Sequence, residues 1–139
     1  MEAIADSIPS VSILLVEDEE AILKLLVTIL ARKFPDFALY TAGNGREGLE
    51  LFTTLRPDIV ITDIKMPEMG GVQMADKIRA LKPDTKIIVL SGDQSRFVPQ
   101  DSVENEFEFE LNIVKPVKIG LLFAAIEKCL GEIAQQQST

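Results

Sequence analysis

The chain has 139 residues, an apolar fraction of 47% and a formal net charge of -8, from 14 Lys and Arg against 22 Asp and Glu. This length and composition predict one domain with a sizeable hydrophobic core, and the acidic balance disfavours direct nucleic-acid binding. One cysteine and no histidine exclude an internal disulfide, Cys/His zinc sites and histidine catalysis. Any bound metal must therefore take oxygen ligands, which favours Mg²⁺ or Ca²⁺.

The N-terminal residues and the apolar runs indicate the cellular location expected for the protein. Residues 1–10 contain no basic side chain and no apolar segment, so they do not form a signal peptide. No apolar run approaches the roughly 20 residues that a membrane-spanning helix needs. We expect a soluble, cytoplasmic protein without a membrane partner, with an N-terminal tail at 1–10, one folded domain at 11–132 and a C-terminal tail at 133–139.

Short apolar runs alternate with helical patterns along the chain. Ser12–Val16 is an unbroken apolar run, which is typical of a strand buried on both faces. The apolar stripe of an amphipathic helix follows, with members Ile22, Leu25, Leu26, Ile29 and Leu30. The later segments predict strands at 37–41, 59–62, 86–90 and 112–114, and helices marked by Leu49 and Phe52, by Val72, Ala75, Ile78 and Leu81, and by Leu122, Ile126, Cys129 and Ile133.

The segment 94–110 has a mixed pattern. Residues 106–111 alternate with period two, as in a strand, whereas Pro99 suits the first position of a helix. We predict a short or distorted helix at 100–105. Residues 135–139 are expected to form a frayed tail.

Repeated strand–helix units predict an α/β fold, a doubly wound parallel sheet of five strands with helices on both faces. In such a sheet ligands bind outside the carboxyl ends of the strands. Four of the predicted strands end at polar residues, which are Glu17 and Asp18, Asp63, Ser91, and Lys115. Because these ends share one edge of a parallel sheet, the pattern predicts a site there.

Each of these residues also has an ordinary structural explanation. Asp18 could cap the first helix, Ser91 could open a turn with Gly92, and Asp63 could initiate a turn. Glu17 and Lys115 could be solvated surface charges. None of these explanations accounts for the shared edge.

A shared site would bring carboxylates together, and crowded carboxylates resist ionisation unless cations are supplied. A divalent metal and Lys115 would supply them. A phosphoryl group on Asp63 would present three oxygens, one each for Mg²⁺, the Lys115 ammonium and the Ser91 hydroxyl, a division of charge common in phosphoryl transfer.

The sequence segments around these residues resemble those of a response-regulator receiver domain. The similarity extends from Val11 to Gly131, and the segments that carry it are Val16–Glu19, Asp63–Gly71, Leu90–Gly92 and Lys115-Pro116, with Ala42–Gly45 and Gly48-Leu49 in support. The resemblance implies a flavodoxin-like fold with strand order 2-1-3-4-5.

The resemblance also implies a role for each site residue. Asp63 would accept the phosphoryl group, Ser91 would be the switch hydroxyl, and Lys115, before a cis Pro116, would pair with the phosphoryl group. Mg²⁺ or Mn²⁺ would be held by Asp18 directly, by Glu17 through water, by Asp63, and by the main-chain carbonyl of Lys65.

The implied function is a phosphorylation-activated signalling switch that is not an enzyme beyond its own phosphorylation and dephosphorylation. The phosphohistidine donor would be a sensor histidine kinase or a histidine phosphotransfer protein, and the output a downstream protein partner. One alternative is a pseudo-receiver interaction domain. Another is an aspartyl phosphatase of the haloacid dehalogenase type, disfavoured because Lys65 stands where a second acid is expected. Whether the chain acts alone or is a piece of a larger regulator stays open.

The sequence departs from the receiver pattern between Ser91 and Lys115. Asn112 occupies the usual position of a switch aromatic residue, Glu108-Phe109 replaces a usual Gly-Ala pair, and the segment is slightly long. We hypothesise a non-standard output face with Phe97, Phe107 or Phe109 as its apolar contact, the alternative being that these rings belong to the core. Lys65 and Asp93 are candidates for tuning the lifetime of the phosphoryl group.

Overall fold

The computed structural model describes residues 11–66, 68–91, 111–114 and 118–138. The helix predicted at 100–105 lies outside these ranges. The described elements, in chain order, are β1 (Ser12–Val16), α1 (Glu20–Lys33), β2 (Ala38–Ala42), α2 (Gly45–Leu55), β3 (Ile59–Asp63), α3 (Gly71–Leu81), β4 (Lys86–Ser91), β5 (Leu111–Val114) and α4 (Ile119–Ser138). No helix in these ranges is both long enough and apolar enough to cross a membrane.

The strands form one parallel sheet in the order β2-β1-β3-β4-β5. The register aligns the carboxyl ends of the strands, as the last pairs on successive ladders show: Val16 with Ala42, Val16 with Thr62, Asp63 with Leu90, and Ser91 with Val114. The strand ends that the sequence placed on one edge therefore lie side by side.

Helices cover both faces of the sheet, as predicted. Alternate residues of β1, β3 and β4 point to opposite faces, so each face has its own apolar cluster. On one face α1 and α4 pack against the strands, through Leu26, Leu30, Leu122, Ile126, Cys129 and Ile133. On the other face α2 and α3 pack, through Phe52, Met74, Ala75 and Ile78. The prediction of a parallel α/β fold is confirmed.

Two residues expected in helical stripes are exposed. The Leu25 side chain is 57% exposed, because α1 faces the sheet through Leu26 and Leu30 and the preceding position is rotated away from that line. Leu81, the last residue of α3, is 44% exposed, and the buried Met74 supplies a core contact that the predicted stripe omitted.

The residues predicted to form a frayed tail, 135–139, are helical as far as the structure describes them. Helix α4 continues to Ser138, and Ile133 is 8% exposed within the core. The apolar contact of Ile133 gives the last turns of the helix a support that the glutamine-rich sequence after it did not indicate.

Candidate functional site

The first part of the site follows β1. Glu17 is 1% exposed, and its N–H donates to the Ala42 carbonyl at 3.1 Å, which extends the β1–β2 pairing by one residue. Its Oε2 accepts a hydrogen bond from the Glu19 N–H at 3.1 Å. The Glu17 carboxylate is thus oriented by the turn into α1, so the prediction of a merely solvated charge at this position is wrong.

Asp18 is exposed and does not cap α1. The N-cap of that helix is Glu19, which makes no side-chain capping hydrogen bond. The ordinary structural explanation for Asp18 therefore does not apply, and its carboxylate lies beside Glu17 at the carboxyl edge of the sheet.

Asp63 is the last residue of β3 and is 8% exposed. Its Oδ1 accepts a hydrogen bond from the Ile64 N–H at 2.7 Å, and its main-chain carbonyl accepts one from Thr62 Oγ1 at 2.8 Å. These bonds orient the carboxylate and the backbone at the point where the strand ends. Asp63 does shape the turn after it, and it also lies beside Glu17 and Asp18, the acidic residues that follow β1.

The three carboxylates come together at this edge. One oxygen each from Glu17, Asp18 and Asp63 lies within 4.8 Å of the others, close enough to hold a metal ion. Three like charges at such distances repel, so a cation is favoured there. Mg²⁺ prefers oxygen ligands and usually keeps several waters, so a cluster of three carboxylates fits such an ion.

The structure describes only some of the remaining predicted site residues. Lys65 follows Asp63 by two residues with an exposed side chain. Ser91 ends β4, where it pairs with Val114, so the strand that precedes Lys115 ends at the same edge as the acidic cluster. Lys115 and Pro116 themselves lie outside the described residues, as do Phe97, Phe107, Phe109 and Asp93. The roles of Ser91, Lys115 and the Lys65 carbonyl stay predictions.

The loop between β3 and α3, residues 64–70, is called the acceptor loop below. A Cβ at Gly71 would lie 2.1 Å from the Asp63 carbonyl oxygen, and the Gly71 N–H donates to the Ile64 carbonyl at 2.7 Å. The start of α3 therefore packs directly on the backbone at Asp63, which only glycine permits.

Two structural features of this loop were not predicted from the sequence. Glu68 has a φ of 71°, the left-handed region that side chains other than glycine rarely adopt, and Gly45 packs against the loop at Met69. The Asn44-Gly45 pair was a visible turn signal, but the sequence did not show which backbone approaches it.

Comparison with known proteins identifies the family. The family model described as "Response regulator receiver domain" matches residues 13–127. The chain belongs to this family. It is 33% identical over 115 residues to the chemotaxis protein CheY of Thermotoga maritima, covering 82% of this chain and 93% of CheY. Receiver domains of two-component response regulators act as signalling switches, and the resemblance noted from the sequence is confirmed.

Longer regulators and solved structures agree with this assignment. The chain is 31% identical over 136 residues to the regulatory protein AtoC of Escherichia coli, matching 91% of this chain but only 29% of AtoC. The receiver domain protein (CheY-like) of Methanospirillum hungatei has a TM-score of 0.81 at 28% identity, covering 92% of this chain and 99% of that one. The response regulator TrrA of Thermotoga maritima, solved in complex with Mg²⁺-BeF, has a TM-score of 0.74 at 33% identity over 86% of this chain and 98% of its own.

Proposed function

We propose that this receiver domain, spanning residues 11–132, is a phosphorylation-driven switch in which Asp63 takes a phosphoryl group from a phosphohistidine donor in the presence of Mg²⁺. The observation that carries the proposal is the convergence of Glu17, Asp18 and the buried Asp63 at the carboxyl edge of the sheet. That arrangement puts a carboxylate nucleophile next to a site of high negative charge, where a divalent cation is favoured.

The chemistry of the transfer follows from these groups. A carboxylate oxygen of Asp63 attacks the phosphorus, and a P–O bond forms as the P–N bond to the donor imidazole breaks. The electron pair of that bond leaves with the imidazole nitrogen, which takes up a proton from the surrounding solvent. The Ile64 N–H, 2.7 Å from Asp63 Oδ1, holds the carboxylate in place for this attack.

Glu17, Asp18 and Asp63 would hold the metal, with the Lys65 main-chain carbonyl as a further ligand. When bound, Mg²⁺ supplies positive charge that offsets the charge of the transferred group. The response regulator TrrA, solved in complex with Mg²⁺-BeF, supports Mg²⁺ as the metal. Ser91 and Lys115 would contact the other phosphoryl oxygens, a role that rests on their order in the sequence and on the pairing of Ser91 with Val114.

The donor would be a sensor histidine kinase or a histidine phosphotransfer protein, since this chain has no histidine of its own. A sensor kinase of Brucella abortus, CckA, is 31% identical over 133 residues, so segments of this kind occur in kinases as well as in regulators. The output would be a downstream protein partner.

Acetyl phosphate, a small phosphoryl donor, tests the proposal. The protein is incubated with acetyl phosphate and Mg²⁺, and intact mass spectrometry measures whether one labile phosphoryl group is added. We expect an adduct that requires Mg²⁺, that disappears in Asp63→Asn, and that persists in Asp76→Asn, which changes an exposed aspartate on α3.

Two other results would point elsewhere. A folded wild-type protein that forms no adduct would favour the pseudo-receiver interaction domain. Steady hydrolysis of added phosphoesters would favour an aspartyl phosphatase.

A further inference from the structure

We propose that the first turn of α2 is a positioning element for the phosphorylation site, acting through backbone contact between Gly45 and the acceptor loop at Met69. Neither residue touches the reacting groups. Their contact would fix the loop that follows Asp63 and contains Lys65. This inference rests on the function proposed above, because it concerns how the same site is assembled.

The contact itself is close and involves backbone atoms. Gly45 is buried at the start of α2, and a Cβ built on it would lie 2.1 Å from the Met69 carbonyl oxygen and 2.8 Å from the Met69 carbonyl carbon. Real Cβ contacts essentially never fall below 3.0 Å. No glycine among the described residues has a positive φ, so Gly45 is required here for space and not for its conformational freedom.

The turn that carries Gly45 is fixed independently of the loop. Asn44 Oδ1 accepts a hydrogen bond from the Glu47 N–H at 2.8 Å, and Glu47 Oε1 accepts one from the Gly43 N–H at 2.7 Å. These two hydrogen bonds satisfy backbone N–H groups at the start of α2 and order its first turn. The loop is therefore placed against an ordered surface.

The same segment is joined to the other half of the acidic cluster. Ala42, three residues before Gly45, accepts the hydrogen bond from the Glu17 N–H at 3.1 Å. The start of α2 thus contacts the backbone at Glu17 on one side and the acceptor loop on the other. The start of α2 can therefore set the separation between Glu17 and the acceptor loop without contributing a ligand.

The backbone conformation of Glu68 indicates that neighbouring residues hold the acceptor loop in place. Glu68 keeps its φ of 71° although glutamate disfavours it, and such a conformation persists where neighbouring contacts impose it. Arg46 Nη1 lies 3.4 Å from Glu68 Oε1, but the two side chains are 68% and 51% exposed, so this ion pair contributes little. The backbone contact at Gly45 is the stronger constraint.

A methyl group at Gly45 would have to displace the loop. Raising the contact from 2.1 to 3.0 Å requires a shift of 0.9 Å (3.0 minus 2.1) between the two backbones. Metal sites tolerate displacements of only about 0.5 Å, and loss of a supporting contact typically weakens metal binding about 10- to 100-fold. We expect Gly45→Ala to raise the Mg²⁺ dissociation constant at least about tenfold.

The experiment measures Mg²⁺ binding apart from phosphorylation. Amide NMR spectra of wild type, Gly45→Ala, Gly48→Ala and Gly131→Ala are titrated with Mg²⁺, and urea unfolding reports stability. Gly48 is the matched control on the same helix, since its Cβ would meet only side-chain atoms, Met74 Sδ at 2.8 Å and Val16 Cγ2 at 3.0 Å. Gly131 has nothing within 4 Å of the added Cβ.

We expect weakened Mg²⁺ binding and shifted amides of Ile64 and Met69 in Gly45→Ala alone, with Gly48→Ala losing stability but keeping its Mg²⁺ affinity. Equal affinity in Gly45→Ala and wild type, or a parallel loss in Gly48→Ala, would overturn the proposal. If Gly45→Ala does not fold, Asn44→Ala serves instead, because it removes the side-chain cap that orders the turn carrying Gly45 and leaves Gly45 itself in place. That variant should fold and bind Mg²⁺ more weakly, and unchanged affinity would count against the idea. A wild-type protein that binds no Mg²⁺ would instead remove the proposed function itself.

Discussion

The two edges of the sheet differ in how their charged side chains are paired. At the carboxyl edge, Glu17, Asp18 and Asp63 bring three charges of one sign within 4.8 Å. At the amino edge, where β4 begins, Lys86 Nζ lies 3.3 Å from Glu132 Oε1 of α4. One edge is neutralised by the fold itself, whereas the other favours a ligand that brings positive charge. The difference separates a structural use of charge from a functional one.

The amino edge shows what a satisfied buried charge looks like. Lys86 is 8% exposed, and its partner Glu132 is also 3.3 Å from Lys128 through its other carboxylate oxygen. Burial raises the pKa of Glu132. The hydrogen bonds and positive charges of Lys128 and Lys86 lower this pKa by a larger amount, so it lies below the ordinary value of 4.5. The ion pair joins β4 to α4 and needs no ligand.

The largest expected difference between the edges is the response to Mg²⁺. At a hundred times its dissociation constant, a ligand that binds only the folded state raises the free energy of unfolding by about 2.7 kcal/mol. We expect a gain of this order in the wild type, measured by urea unfolding with and without Mg²⁺. Asp18→Asn should lose most of it, because one ligand charge is removed.

The matched control for that measurement is Asp36→Asn, which changes an exposed aspartate outside the cluster and should keep the full gain. If Asp18→Asn and Asp36→Asn respond to Mg²⁺ equally, the carboxyl edge is not where the metal binds, and the contrast between the edges fails.

The amino edge should respond to mutation without any ligand. Glu132→Gln leaves the buried Lys86 ammonium beside a neutral partner, and we expect it to lower the free energy of unfolding by about 2 kcal/mol. This is less than the cost for a fully buried pair, because the Glu132 side chain is 35% exposed. Urea unfolding at pH 7 without Mg²⁺ measures it.

Lys86→Met gives the complementary change at the amino edge. It removes the buried charge and leaves Glu132 with Lys128, so it should cost less than Glu132→Gln. A larger cost for Lys86→Met than for Glu132→Gln would mean that the Lys86 side chain stabilises this edge by itself, and not through its ion pair with Glu132.

The carboxyl edge could be predicted from the sequence to a useful extent. Four of the five strands are short apolar runs that stop at a polar residue, and a parallel sheet must put those ends together. Asp63, Glu17 and Asp18 therefore converge as expected. The chemistry of the site is encoded in local order along the chain, which is why reasoning from the sequence alone could locate it.

The amino edge and the contact at Gly45 could not be predicted in the same way. Lys86 appeared only as the polar start of a strand, and its partner lies 46 residues later on another element (132 minus 86). The approach of Gly45 to Met69 likewise depends on how α2 and the acceptor loop pack. Periodicity also misplaced Leu25, since it gives the inward face of a helix only to within about one residue, or 100° of rotation.

A smaller effect concerns the pH dependence of stability, which reports on the Glu132 carboxylate. A lowered carboxyl pKa contributes stability that is present above the ordinary value of 4.5 and is lost as the pH falls through the folded-state pKa. The difference in unfolding free energy between wild type and Glu132→Gln should therefore shrink below pH 4.5.

Lys128→Gln tests how much of that effect belongs to solvent-exposed charge. The Lys128 side chain is 59% exposed, against 10% for Lys86, so its removal should change the free energy of unfolding by less than about 0.5 kcal/mol at pH 7. A loss as large as that of Glu132→Gln would show that the amino edge depends on an exposed network. A small loss would show that the stability of the amino edge comes from the pair of Lys86 and Glu132. The carboxyl edge differs, because its three carboxylates have the same sign of charge and favour a bound cation.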